Sequence, residues 1–163
     1  MEFHERQTFA RWVYWTICIS NVTPVILLFV IPGPIPFGLV LVILFMVLLP
    51  IVLYLFLGVM ITEIGTDMRG EPELHIAFGA MRTINYHFPI STITSAVVRK
   101  YDPIGEYGGW GIRGWRGKRA LNMRGDRGVE ITTTFKGKPA SFMIGSQKPE
   151  ELETALQAKM PPL

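Results

Sequence analysis

The chain has 163 residues, 49% of them hydrophobic, with a net charge of +3 and a single cysteine. This length allows one domain with an appendage, and one cysteine excludes a disulfide within the chain and disfavours a cysteine-based metal site. No charged residue or histidine occurs in residues 12–62. A run of that length exceeds one membrane span and matches two spans of about 20 residues each.

Residues 1–59 are predicted to form a short N-terminal tail followed by a transmembrane helical hairpin. The first span is expected at residues 12–30 and the second at residues 37–57. Three prolines and two glycines in residues 31–38 end the first helix and turn the chain. A cleaved signal peptide is the alternative for the first span, but the apolar run is too long and a second span follows at once.

The charges that flank the two spans predict their orientation. Arg6 and Arg11 precede the hairpin, fourteen Lys and Arg follow it, and the loop between the spans carries no charge. Because positive charge is retained on the cytoplasmic side, both termini are expected to be cytoplasmic. Trp12, Tyr14 and Trp15 are expected to form an aromatic belt at the membrane interface.

Residues 60–163 are predicted to form a mainly-β domain. Short alternating runs, separated by turns rich in glycine, recur about every ten residues, which is typical of an antiparallel sandwich or barrel. Val129, Ile131, Thr133 and Phe135 fall on one face of a predicted half-buried strand. Seven or eight strands are expected in all.

The segment 146–160 is predicted to form an amphipathic helix that closes the domain. Ser146 is placed to cap its N-terminus, a proline falls in its first turn, and early acids with a late Lys159 suit the helix dipole. Leu152 and Leu156 give it one apolar stripe.

Two stretches carry a resemblance to a known family. The segment EYGGWGIRGWRGKRALNMRGDRGVEI and the ending IGSQKPEEL, together with the two spans, resemble bacterial pleckstrin-homology-like (PH-like) domains that are tethered to a membrane. The resemblance covers roughly residues 60–159. It implies a partly open barrel of two antiparallel sheets with a C-terminal helix at one end, and a multi-pass protein of the bacterial cytoplasmic membrane. It does not imply lipid binding, because domains of this shape also bind proteins.

The stretch YGGWGIRGW, residues 107–115, contains four glycines and two tryptophans. A nucleotide-binding loop would need a preceding strand, a following helix and a defined glycine spacing, whereas the residues here continue as a strand. The glycines are therefore expected to shape a bulge or turn and a sharply bent strand. One of the tryptophans is expected to fill the sheet core.

A basic turn follows the glycines. Residues 99–138 contain ten Lys or Arg against four acids, and such a patch attracts anionic headgroups when it is held near a membrane. This basic segment is interpreted either as a solvated face or as a surface that binds lipid or a partner. Binding of nucleic acid is not expected. The candidate patch comprises Arg113, Arg116, Lys118, Arg119, Arg124 and Arg127.

No catalytic constellation is evident, and three isolated histidines show no metal-ligand spacing. We therefore expect a non-catalytic protein without cofactor, metal or small-molecule substrate. Its expected role is that of an accessory or scaffold subunit among the transmembrane subunits of a larger complex, such as a respiratory or photosynthetic one. The alternative is a stand-alone sensor of anionic lipid that uses the basic turn around Arg113 and Arg119.

Overall fold

The computed structural model describes residues 3–30, 36–115, 118–135 and 137–161. Two helices interrupt the β structure near its start, and a third and fourth follow later. The helices are α1 (Arg11–Val30), α2 (Phe37–Leu57), α3 (Pro103–Tyr107) and α4 (Pro149–Gln157). The strands are β1 (Phe3–Thr8), β2 (Val59–Thr66), β3 (Pro72–Phe78), β4 (Ile84–Pro89), β5 (Ile93–Lys100), β6 (Gly111–Trp115), β7 (Lys118–Asn122), β8 (Arg127–Phe135) and β9 (Lys138–Gly145).

The first sheet has the order β1-β2-β3-β4, with antiparallel neighbours throughout. Its edge strand β1 lies in the segment that was expected to be an N-terminal tail. The burial of β1 alternates, with Phe3, Glu5 and Gln7 turned inward, so its inner face is covered like that of any other strand. The hairpin therefore interrupts the β domain instead of preceding it.

The second sheet has the order β5-β8-β9-β7-β6. The expectation of an entirely antiparallel domain is wrong here, because β7 pairs with β9 in parallel register from Lys118↔Ser141 to Leu121↔Ile144. The β8–β9 hairpin lies between β5 and β7, so β7 pairs with the β9 edge of that hairpin. The two sheets remain separate and do not close into a barrel.

The main core lies between the sheets and beneath α4. Phe78, Phe88 and Phe142 are almost completely buried there, and the Phe88 and Phe142 rings meet edge-on with centroids 4.8 Å apart. The predicted alternation of β8 is confirmed, since Val129, Ile131 and Thr133 are buried while Thr132 and Thr134 are exposed.

The C-terminal helix α4 is confirmed, but its predicted cap is not. Leu152 and Leu156 are fully buried in the core, as the apolar stripe predicted. Lys148, which occupies the N-cap position, makes no side-chain capping bond. The Ser146 hydroxyl, two residues earlier, accepts from the Lys148 N–H at 2.9 Å and donates to Glu5 Oε2 at 2.6 Å, which gives the buried Glu5 carboxylate a hydrogen-bond partner.

Helix α2 is long and apolar enough to cross a membrane. Along its length only Ile43 is buried, and most of its large apolar side chains are exposed. The segment predicted as the first span is helical as α1. The turn between the two helices lies outside the described residues, apart from residues 36–38.

Candidate functional site

Both ends of the helical hairpin are fixed to the same sheet. β1 leads into α1 and α2 leads into β2, and these two strands pair from Phe3↔Ile64 to Thr8↔Val59. The last rung of this ladder therefore lies directly beneath the hairpin. We call the paired ends of β1 and β2, with the adjoining ends of α1 and α2, the junction.

Further hydrogen bonds join the junction to the turn between β3 and β4. The Ala80 N–H donates to Leu55 O at 2.9 Å, and the Gly79 N–H donates to Val59 O at 2.8 Å. Gly79 has a φ of +88°, and a Cβ there would lie 2.6 Å from Leu55 O. Only glycine permits this approach, so the end of α2 rests directly on the sheet.

Of the three aromatic residues predicted at the membrane interface, two point outward and one joins the junction. Trp12 is 63% exposed and Trp15 is 68% exposed. The Tyr14 hydroxyl donates to Gly58 O at 3.3 Å, and its ring meets that of Tyr54 edge-on at 5.9 Å. Tyr14 therefore links the first turn of α1 to the last turn of α2.

The glycines of residues 107–115 adopt backbone conformations that other residues disfavour. Gly108 ends α3 in the left-handed conformation at φ +78°, and Gly111 has a φ of +103° with open space around its α-carbon. Gly114 has a φ of +101°, and a Cβ there would lie 2.7 Å from the Arg119 α-carbon. The segment is thus bent at Gly111 and packed tightly against β7 at Gly114.

Trp110 does not fill the sheet core. Its side chain is half-buried, and its indole N–H donates to Gly125 O at 3.0 Å, so the ring bridges the glycine-rich segment and the β7–β8 turn. The side chain of Trp115 lies outside the described residues.

The structure separates the predicted basic residues. Arg113 lies opposite Ala120, and Gly114 lies opposite Arg119. Ala120 packs with Tyr101 on the outer face of the second sheet, whereas the Arg119 guanidinium lies 6.0 Å from the centre of the Phe135 ring on the core side. Neighbouring positions of β7 therefore face opposite sides of the sheet.

The remaining members of the predicted patch also differ in their surroundings. Arg127 pairs with Glu150 of α4, which neutralises part of its charge, while Lys118 and Arg124 are exposed. Arg116 lies outside the described residues. Arg113 is exposed, and its Nε donates to Trp110 O at 3.0 Å. Among the described residues it forms no ion pair.

The outer face of the first sheet carries a feature that sequence reasoning missed. His4, Glu63, His75 and His87 lie opposite one another on β1, β2, β3 and β4, in one row across the sheet. We call these four residues the histidine–glutamate row. The His75 and His87 rings stack with centroids 4.4 Å apart. All three histidines of the chain therefore lie in one row, with Glu63 between His4 and His75, although they are far apart in sequence.

Hydrogen bonds make Glu63 the centre of this row. Its carboxylate lies 2.9 Å from His75 Nδ1 and 2.8 Å from an Arg82 terminal nitrogen, while His4 Nδ1 approaches to 3.4 Å. Burial alone would raise the pKa of the Glu63 carboxyl, but the bonds from His75 and Arg82 outweigh it and hold the pKa below its usual value. His87 similarly lies 3.1 Å from Glu73.

The row lines an open cavity of about 520 Å³. Within the described part of the chain, no group of three or more His, Cys, Asp or Glu side chains has the geometry to hold a metal ion. Both ring nitrogens of His75 are engaged, with Glu63 and Asn85, and His87 Nδ1 lies beside Glu73. Each histidine occupies a polar position of an alternating strand, and this placement is the signal in the sequence that could have indicated the row. The signal becomes informative only when the strand register is known.

A second cavity, of about 900 Å³, opens at the junction. Its walls come from the first turns of α1, the last turns of α2 and the segment 110–113. Most of the lining is apolar, and Arg113 is its charged member. Three parts of the chain that are distant in sequence therefore meet around one apolar space.

No protein-family model, curated protein or solved structure is significantly similar to this chain.

Proposed function

We propose that this protein is a non-catalytic, membrane-anchored scaffold with a PH-like β domain, acting as an accessory subunit of a larger integral membrane complex, such as a respiratory or photosynthetic one. α1 and α2 both span the membrane, a bacterial cytoplasmic membrane, with the chain termini and the β domain on the cytoplasmic side. Its partners are the bilayer and the transmembrane subunits of that complex.

The observation that carries this proposal is the double attachment of the hairpin. A flexible linker would let a domain reorient above the bilayer, but here β1 and β2 are paired up to the helix ends. The contacts of Gly79 and Ala80 with Val59 and Leu55 add a further connection. Such a domain keeps one orientation and height relative to the bilayer, which suits a subunit that must meet fixed partners.

The hairpin offers the surface for transmembrane partners. The large apolar side chains of α2 are mostly exposed, and α1 covers little of that helix. Helices associate in membranes through close packing and occasional polar contacts. The same side chains serve as the membrane anchor where no partner covers them.

Loosening the junction tests the proposal. A flexible Gly-Ser insert after Phe9 and another after Gly58 would uncouple the hairpin from the sheet without removing either. The matched control carries one such insert after Gly70, in the exposed turn between β2 and β3. Each variant replaces the native chain in its own host and is purified without overexpression, and mass spectrometry identifies the co-purifying proteins.

We expect the parent and the control to retain stoichiometric membrane partners. The junction variant should stay in the membrane with a folded β domain but lose those partners. Two results would overturn the scaffold proposal. In the first, the parent chain is purified without any membrane partner. In the second, the junction variant retains all of its partners.

The stand-alone lipid sensor that uses the basic turn is the second candidate, and the geometry favours it less. Arg113 lines the junction cavity, Arg119 lies beside the Phe135 ring, and Arg127 is paired with Glu150. These cations therefore do not form one continuous face toward a membrane. A purified monomer whose lipid selectivity depended on Arg119 would support the sensor instead.

A further inference from the structure

The cavity at the junction is apolar along its walls and basic at one edge. Its apolar lining includes Val13 and Ile17 of α1, Leu53 and Leu57 of α2, and Ile112 of β6. Ligand pockets in proteins typically measure about 300–1,000 Å³ and combine apolar walls with a few placed polar groups. A cavity of about 900 Å³ falls within this range.

Arg113 is suited to bind an anion at the edge of this cavity. Its Nε is used by the Trp110 carbonyl at 3.0 Å, which holds the side chain beside the opening. Its two terminal nitrogens have no acceptor among the described residues. A guanidinium with free terminal N–H groups matches the geometry of a phosphate.

With the hairpin inserted as proposed, the cavity lies at the level of the lipid headgroups. It lies beside the first turns of α1, where Trp12 and Trp15 are exposed, and tryptophan favours the membrane interface. From Val13 to Cys18 the lining follows α1 for more than one turn toward the membrane interior. The apolar walls thus point toward the acyl chains and Arg113 toward the headgroups.

We propose that the junction cavity binds one anionic phospholipid, with an acyl chain along the apolar walls and the phosphate on Arg113. The inference rests on the proposed membrane placement of the hairpin, and it goes beyond the scaffold role by assigning a ligand site. The bound lipid fills the space between the hairpin and the β domain, and so stiffens the junction.

The test measures the fluorescence of Trp110, which lines the cavity beside Arg113. The other three tryptophans are replaced by phenylalanine in the full chain, and the protein is reconstituted in nanodiscs of phosphatidylcholine with a minor share of phosphatidylglycerol. Two samples are compared: in one the phosphatidylcholine is brominated, and in the other the phosphatidylglycerol is brominated. Bromine atoms quench tryptophan fluorescence on contact. Flotation of reconstituted vesicles and resistance to carbonate extraction first establish that the chain is inserted.

We expect brominated phosphatidylglycerol to quench Trp110 more than its share of the bilayer predicts. Arg113→Gln should weaken this preference about fivefold, which corresponds to about 1 kcal/mol for one basic residue at a membrane surface. Lys118→Gln removes an exposed charge that does not line the cavity, and it should leave the preference unchanged.

A second pair of variants tests the apolar walls. Ile17→Phe adds volume inside the cavity, whereas Ile19→Phe makes the same change on the exposed side of α1. Native mass spectrometry of the otherwise unmodified chain should show one retained phospholipid in the parent and in Ile19→Phe, and loss of it in Ile17→Phe.

The outcomes separate the two proposals. A chain that fails to insert contradicts the membrane placement itself. An inserted chain whose Trp110 is quenched equally by both lipids, or whose preference survives Arg113→Gln, overturns the lipid site. A third result would also overturn the lipid site: Cys18 crosslinks to a partner's helix in native membranes, and the purified chain shows no lipid preference. In that case protein, and not lipid, would occupy the cavity.

Discussion

The Glu5 carboxylate accepts a hydrogen bond of 2.6 Å from the Ser146 hydroxyl, and so joins the first strand to the segment that leads into α4. A second bond, of 2.8 Å, comes from the Gln147 N–H. Two residues along β1, the Gln7 amide donates to Gly145 O at 2.8 Å. The strand that precedes the hairpin is thus joined to residues 145–147 by these bonds and to β2 by its ladder.

Glu5→Ala should therefore destabilise the β domain by about 1–3 kcal/mol, because a buried hydroxyl and a backbone N–H would lose their acceptor. Chemical unfolding of the full chain in detergent, followed by circular dichroism, would measure the loss. Glu5→Gln retains one carbonyl oxygen and should cost less. Equal stability of Glu5→Ala and the parent would show that this connection contributes nothing.

Two glycines of β6 should differ in their sensitivity to substitution. Gly111→Ala adds only the strain of a left-handed conformation, about 1–2 kcal/mol, because no heavy atom lies within 4 Å of a Cβ added there. Gly114→Ala adds the same strain and a clash with the backbone of Lys118 and Arg119, and should cost more.

Thermal melts of both glycine variants would be compared with Gly65→Ala. Gly65 lies in β2 with open space around it and an ordinary φ, so this change should be nearly neutral. If Gly114→Ala melted at the same temperature as Gly111→Ala, the close approach of β6 and β7 would not be a constraint on this segment.

The stability of the first sheet should depend on pH through Glu63. The folded-state pKa of this carboxyl lies below its usual value, so the charged form stabilises the fold above the unfolded pKa, about 4.3. That contribution is lost as the pH falls through the folded pKa, when the carboxyl becomes protonated and its bonds to His75 and Arg82 weaken.

Glu63→Gln tests this dependence. The variant should be less stable than the parent near neutral pH, and the difference should shrink as the pH falls below about 4. Glu71→Gln, in an exposed turn, serves as the control and should follow the parent. A difference that stayed constant across this range would contradict the role given to the Glu63 charge.

The proposed topology predicts the labelling of introduced cysteines. After Cys18→Ala, a cysteine in place of Gly33 should react with an impermeant reagent added outside intact cells, because residues 31–38 would face away from the cytoplasm. A cysteine in place of the exposed Lys138 should react only after the cells are opened. The reverse pattern would contradict the orientation inferred from the flanking charges.

Several elements were predictable because their signals are local. The apolar run at residues 37–57 coincides with α2, and the alternation of Val129, Ile131 and Thr133 predicted their burial. Leu152 and Leu156 predicted the buried side of α4. For β8 and α4 the period of the hydrophobic pattern is set by the geometry of a single strand or helix. For α2 the length of the apolar run is itself the signal.

Other features were decided only by the tertiary structure. β1 becomes a strand because β2, on the far side of the hairpin, supplies its hydrogen bonds. β7 pairs in parallel with β9, although β8 lies between these two strands in the chain. The histidine–glutamate row exists only through the register of four strands. Local sequence determines which face of a strand a residue occupies. Its neighbours across the sheet depend on the register of the strands, and the favoured register is the one that buries the apolar faces of both sheets. That choice involves residues that are far apart in the chain.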